Sequence, residues 1–143
     1  MLQQMRSYDL MMGYNTQEGS LILSTLKGEM EPKGYDIEDG IDVALADLML
    51  DDYTAAYFPR NSADVKATIK HNYEIPEADV ANQPSPRLAD TVMNVYSDLL
   101  FASPALTILD LHSNQAAGAA RRSTYMYRFT LETQDSKPNN PSW

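Results

Sequence analysis

The alternation of apolar and polar positions divides the chain into short segments of differing period. Residues 8 to 14, "YDLMMGY", form a compact apolar run closed by a glycine, and this predicts a buried strand. Residues 20 to 26, "SLILSTL", are apolar too, but their length fits a second strand or the first turns of a helix equally well. Residues 27 to 40 hold three glycines, a proline and five acids, and predict a loop. From about Ile41 the period changes: Ile41, Leu45, Leu48 and Met49 recur at helical spacing up to Phe58, and Pro59 ends the run. A second helix follows over "NSADVKATIKHNY", with Ser62 as cap, Asp64 in the first turn and one stripe of Val65, Ile69 and Tyr73. The proline-broken segment "EIPEADVANQPSP" reads as a linker.

Ser85 and Pro86 make an N-cap and first-turn pair, after which Leu88, Val92, Val95 and Leu99 form a continuous stripe. Ser103 and Pro104 repeat that signature inside the run, so a kink or break is expected there, followed by a helix through Ala105, Ile108, Leu109 and His112. Apolar residues on most sides of "LLFASPALTILDL" predict deep burial. Residues 123 to 132, "STYMYRFTLE", alternate strictly, with Tyr125, Tyr127 and Phe129 on one face and Met126, Arg128 and Thr130 on the other; this is the firmest strand, and its aromatic row is expected in the core. The tail "TQDSKPNNPSW" is polar and turn-rich. A strand, a helical crossover and a second strand imply an α/β fold with two neighbouring parallel strands, whose ligands gather past the carboxyl ends of the strands. Glu18 lies just past the first strand, framed by Gly13 and Gly19, and the tail after Leu131 lies just past the second.

Composition narrows the function. The formal net charge of −9 disfavours nucleic acid and anionic lipid as partners, since both require a basic face. The 143 residues contain no cysteine, which excludes a disulfide, a thiolate metal site and a cysteine nucleophile. No run of about 18 apolar residues marks a membrane span, and "MLQQMRSYDL" lacks the pattern of a signal peptide. The acids of "DIEDGID" lack the alternate-ligand order of a calcium loop, so a solvated loop is expected. His71 lies on a polar helix and is expected in solvent; His112 lies on a buried helix and is expected to make a structural hydrogen bond. Asp98 with Ser97 is expected to pack or cap a helix, and Arg121 and Arg122 to lie at the surface.

Three stretches resemble the type-B carboxylesterase and cholinesterase family. "YDLMMGYNTQEGSLIL" is similar to the segment in which a strand ends in a glycine and a Glu-Gly pair follows. "YSDLLFASPALTILDLH" resembles the aspartate-bearing helix in which a proline opens the next buried helix, and "TYMYRF" the aromatic strand before the catalytic histidine loop, which "KPNNPSW" approaches. The resemblance implies a partial α/β-hydrolase fold, two neighbouring parallel strands joined by a multi-helix crossover, with residues 1–143 as the C-terminal portion of the domain, cut before the histidine loop. It places Glu18 at the catalytic acid of a Ser–Glu–His triad. It implies no cofactor, a small-molecule ester substrate for the parent enzyme, and a secreted or membrane-tethered location.

The nucleophile elbow of that family needs two glycines four apart around a serine, and the six glycines here (13, 19, 28, 34, 40 and 118) include no such pair. No histidine follows Phe129. By this reading the chain as given hydrolyses nothing. Ser103 stands where many cholinesterases carry a disulfide cysteine, and "DLH" at 110 to 112 with the "KP…SW" tail is closer to the neuroligins. Those are cholinesterase-like adhesion proteins without the nucleophile, which bind cell-surface proteins. Glu18 is common to both branches.

Overall fold

The computed structural model describes residues 2–5, 7–30, 39–77, 83–114 and 122–130. The tail, Arg121, most of the 27–40 segment and the middle of the "EIPEADVANQPSP" linker lie outside them. A four-residue helix α1 (Leu2–Met5) precedes strand β1 (Leu10–Asn15). Helices α2 (Ser20–Met30), α3 (Val43–Tyr57), α4 (Ser62–Asn72), α5 (Pro86–Ser97) and α6 (Ser103–Ser113) then lead to strand β2 (Thr124–Phe129), with a π turn at Asp98–Ala102 joining α5 to α6. The two strands are parallel neighbours, paired from Leu10 with Thr124 to Asn15 with Phe129. The fold is thus the expected one: an α/β arrangement of two adjacent parallel strands with a multi-helix crossover.

The ambiguous 20–26 segment is helical, and the helix continues to Met30 through residues expected to be loop. Ile22, Leu23 and Leu26 repeat at helical spacing and pack on the core, while Gly28 lies on the exposed side, where its backbone freedom costs little. Helix α3 begins two residues later than its apolar period. Ile41 forms an antiparallel bridge with Ser85, and Asp42 caps the helix by accepting the Leu45 N–H at 2.8 Å. That bridge ties the start of α3 to the start of α5. Ser85 caps α5 with Pro86 in its first turn, as the sequence pattern requires. The cap of α4 is Asn61 rather than Ser62, and Asn61 makes no side-chain capping bond.

Pro104 does not break the helix: residues Pro86–Ser113 run as one continuous element. A proline cannot donate to the preceding turn and its ring crowds the carbonyl there. The π turn absorbs the misfit, with the Ser103 N–H reaching back five residues to the Asp98 carbonyl. By length and composition this helix is long and apolar enough to cross a membrane, which a search for an unbroken apolar run misses. Here it is the central helix of the packed interior. Leu88, Ala89, Val92, Met93, Val95 and Tyr96 are buried against Ile41, Val43, Leu45, Leu50 and Tyr53 of the α3 side.

Two burial expectations are corrected. Tyr125, Tyr127 and Phe129 are not core: each is about half exposed, at 52%, 51% and 50%. They share one sheet face with Met11, Gly13 and Asn15, their register partners. Helix α6 packs on both strands from the opposite face, which Thr124 reaches through its bond to His112. Nothing among the described residues covers the aromatic side. The "LLFASPALTILDL" segment is likewise buried on one side only: Ala102, Ala105 and Leu109 are inside, whereas Leu106 and Leu111 face outward.

Candidate active site

Glu18 sits in a four-residue turn, Thr16–Gly19, between the carboxyl end of β1 and the first turn of α2. Bonds on both sides fix this turn. The Thr16 N–H and its Oγ1 both donate to the Phe129 carbonyl at 2.8 Å, so the end of β1 is tied to the end of β2. The Asn15 N–H donates to Glu18 Oε1 at 3.0 Å and folds the carboxylate back over the strand end. The Gly19 N–H donates to the buried Ser97 Oγ on α5 at 2.8 Å, and that hydroxyl donates in turn to the Met93 carbonyl at 2.8 Å. Between these anchors Gln17 adopts a left-handed conformation, φ 63°. Nothing in the sequence signals this, because glutamine has no special tolerance for that region.

The two framing glycines have a steric cause. A Cβ on Gly19 would lie 2.1 Å from the Met93 carbonyl oxygen, so the turn presses against α5 closer than any side chain permits. A Cβ on Gly13 would lie 2.3 Å from the Tyr127 carbonyl oxygen, beneath the Tyr127 ring. The carboxylate is therefore held on a rigid corner at the sheet rim from which the chain after β2 also departs. It also stands at the start of an 11-residue helix, α2, whose positive end favours a negative charge.

Beside the turn, on the α5 side of the sheet, a cleft of about 290 Å³ is lined by Tyr14, Thr16, Asn94, Ser97, Asp98 and Arg128, among others. Asp98 Oδ2 accepts the Tyr73 hydroxyl at 2.6 Å, and burial followed by this partner raises the Tyr73 pKa well above its ordinary value. Tyr73 thus stays a donor throughout the physiological range. Asp98 and Ser97 do pack the helices, as expected. Sequence reasoning did not anticipate that Ser97 reaches the Glu18 turn, a contact between residues 78 apart.

Neither histidine of the chain is placed to serve Glu18. His71 is exposed on α4. His112 is buried, with Nδ1 2.7 Å from Thr124 Oγ1 and Nε2 3.0 Å from the Tyr8 carbonyl. Those partners lie at the starts of the two strands, and a six-residue strand separates them from Glu18 by roughly 17 Å. Both histidines play the bland roles that their surroundings in the sequence imply. Asp39 is exposed, Asp42 is consumed as a helix cap, and no group of acids or histidines among the described residues could hold a metal ion.

Comparison with protein families returns the carboxylesterase family, matched over residues 1–143. No curated relative and no solved structure matches the chain. With a parallel strand pair, an acid held on a fixed turn at its carboxyl rim and a family match over the whole length, this chain belongs to the carboxylesterase family.

Proposed function

We propose that this chain supplies the acid of a Ser–Glu–His triad in a carboxylic-ester hydrolase, with the serine and the histidine contributed by residues outside these 143. The observation that carries this reading is the seat of Glu18: its carboxylate is fixed by the Asn15 N–H on a turn that Thr16 ties to the last residue of β2. A histidine on the segment following β2 would emerge at that same rim. In the reaction, the serine hydroxyl attacks the ester carbonyl while the histidine Nε2 takes its proton. Glu18 accepts the Nδ1–H, fixes the tautomer and stabilises the imidazolium. The alcohol leaves with the proton returned by the histidine, and water releases the acid from the acyl-enzyme by the same steps. The acid has to be immobile to hold the imidazole in one orientation, and the bonds on either side of the turn fix it. We place these residues in the C-terminal portion of such a domain, whose parent acts in a secreted or membrane-tethered setting.

The test is Glu18→Gln in the polypeptide that joins these residues to the serine- and histidine-bearing segments. We expect kcat to fall by roughly 10³- to 10⁴-fold with KM little changed. Full activity in that variant overturns the assignment. The sequence likeness of "DLH" and the "KP…SW" tail to the neuroligins supports a second reading, an adhesion ectodomain with the same Glu18 seat and no nucleophile. The residue at the middle of the upstream elbow separates the two: serine for the hydrolase, any residue without a nucleophile for the adhesion protein.

A further inference from the structure

Ser97 is the last residue of α5 before the π turn, and only 5% of it is exposed. Helix packing gives no reason for a hydroxyl there. Alanine is the better helix former and would bury no polar atom, whereas a buried hydroxyl is costly unless it is paired. Here it is paired twice, accepting from the Gly19 N–H and donating to the Met93 carbonyl, each at 2.8 Å. The first of these bonds leaves the helix and holds the residue next to Glu18. Ser97 is itself held in place: Asp98 begins the π turn and takes the Tyr73 hydroxyl at 2.6 Å, which fixes this point of the helix to the end of α4. Upstream of Glu18, Thr16 and Asn15 are tied to β2 and to the carboxylate. Downstream, Gly19 is tied to Ser97.

We propose that Ser97 is a positioning residue for Glu18. Its hydroxyl clamps the Gly19 amide, so that the carboxylate stays at the rim in the orientation an imidazole needs. The proposal rests on the reading of Glu18 as the triad acid. Ser97 touches no reacting atom; it acts through the turn. Without the hydroxyl, Gly19 remains pressed on α5 with an unpaired buried N–H, and the turn shifts to find an acceptor.

The experiment uses the polypeptide that carries these residues together with the serine and histidine, with Ser97→Ala, Ser97→Thr, Glu18→Gln and the Glu18→Gln/Ser97→Ala pair, assayed on a simple aryl ester. Hydrogen exchange at the Gly19 amide is followed in parallel. In Ser97→Ala we expect faster exchange at Gly19 and a kcat lower by roughly 10- to 100-fold at unchanged KM. Ser97→Thr, which keeps the hydroxyl, should regain most of the rate. The paired variant should be no slower than Glu18→Gln alone, because a clamp has nothing left to position. Faster Gly19 exchange with full kcat makes Ser97 a structural residue only and overturns the proposal, as do multiplying losses in the paired variant. Glu18→Gln at full activity removes the acid reading itself, a failure told apart because it appears without any change at Ser97. If Ser97→Ala does not fold, Ser97→Cys, of similar volume and weaker acceptor strength, carries the same comparison.

Discussion

Two glycines in the first 30 residues show how differently the same residue type can be used. Gly19 has the Met93 carbonyl oxygen 2.1 Å from where its Cβ would stand, while Gly28 has nothing within 4 Å. Gly19→Ala should therefore destabilise the chain by about 1–3 kcal/mol through overpacking against backbone that cannot yield. Gly28→Ala, on the exposed side of α2, should stabilise it by about 0.5–1 kcal/mol, because alanine has less backbone entropy to lose in a helix. Urea unfolding of the two variants in dilute solution checks both signs, and a stabilising Gly19→Ala would refute the close approach of the turn to α5. The framing of Glu18 by glycines was legible in the sequence as a pattern. Its cause was not, because Met93 and Tyr127 are distant along the chain.

Among the elements, α3 and α4 are joined by a chain of ion pairs, in which Lys70 Nζ lies 2.9 Å from Asp47 and 3.0 Å from Glu77, and Lys66 lies 2.9 Å from Asp51. Burial alone would lower the Lys70 pKa, but its hydrogen bonds and charge attraction to Asp47 and Glu77 outweigh this and raise it. Tyr96, between α3 and α5, donates to the Met49 carbonyl at 2.8 Å, and its pKa is raised chiefly by burial, with Asp52 and Tyr53 adding to it. Both groups hold their protons more tightly folded than unfolded. Their contribution is complete below about pH 10, the ordinary value for these side chains, and is lost as pH rises through the raised values. We expect the urea midpoint to fall on the alkaline side, and Tyr96→Phe to flatten that fall while losing about 0.5–1.5 kcal/mol at neutral pH with its hydrogen bond. An alkaline slope in Tyr96→Phe equal to that of the native chain would contradict the assignment. These helices were largely readable beforehand from their stripes and prolines, and α5 also from its Ser85 cap. The π turn was not, because its signature, a proline within an apolar run, equally announces a break.

At the scale of the whole molecule, helix α6 covers one face of the sheet only in part, leaving Met126 42% exposed there. Met11, Tyr125, Tyr127 and Phe129 stand half or more exposed on the other, beside strand edges with no further partner among the described residues. Unpaired edges and a contiguous apolar face favour association, and the net charge of −9 opposes it only where charges are unscreened. We expect the isolated chain to self-associate, more strongly as salt is raised, in sedimentation runs over a range of concentrations. A monomer that unfolds in one cooperative transition at every concentration and salt would show that this face needs no cover.

The sequence by itself determined the order of strand, helices and strand, the Ser85 cap of α5 and the alternation of β2, because these depend on neighbours within one helical turn or one strand. It also carried the family resemblance and singled out Glu18. The parallel pairing of β1 and β2 at a shared rim followed from their order along the chain, but only the tertiary structure decided its register, that the aromatic row faces outward, and that Ser97 holds the turn of Glu18. The strand pairing and the Ser97 bond join residues roughly 80 to 115 positions apart, and such pairings are settled by which surfaces bury one another once the helices have packed, which no local pattern records.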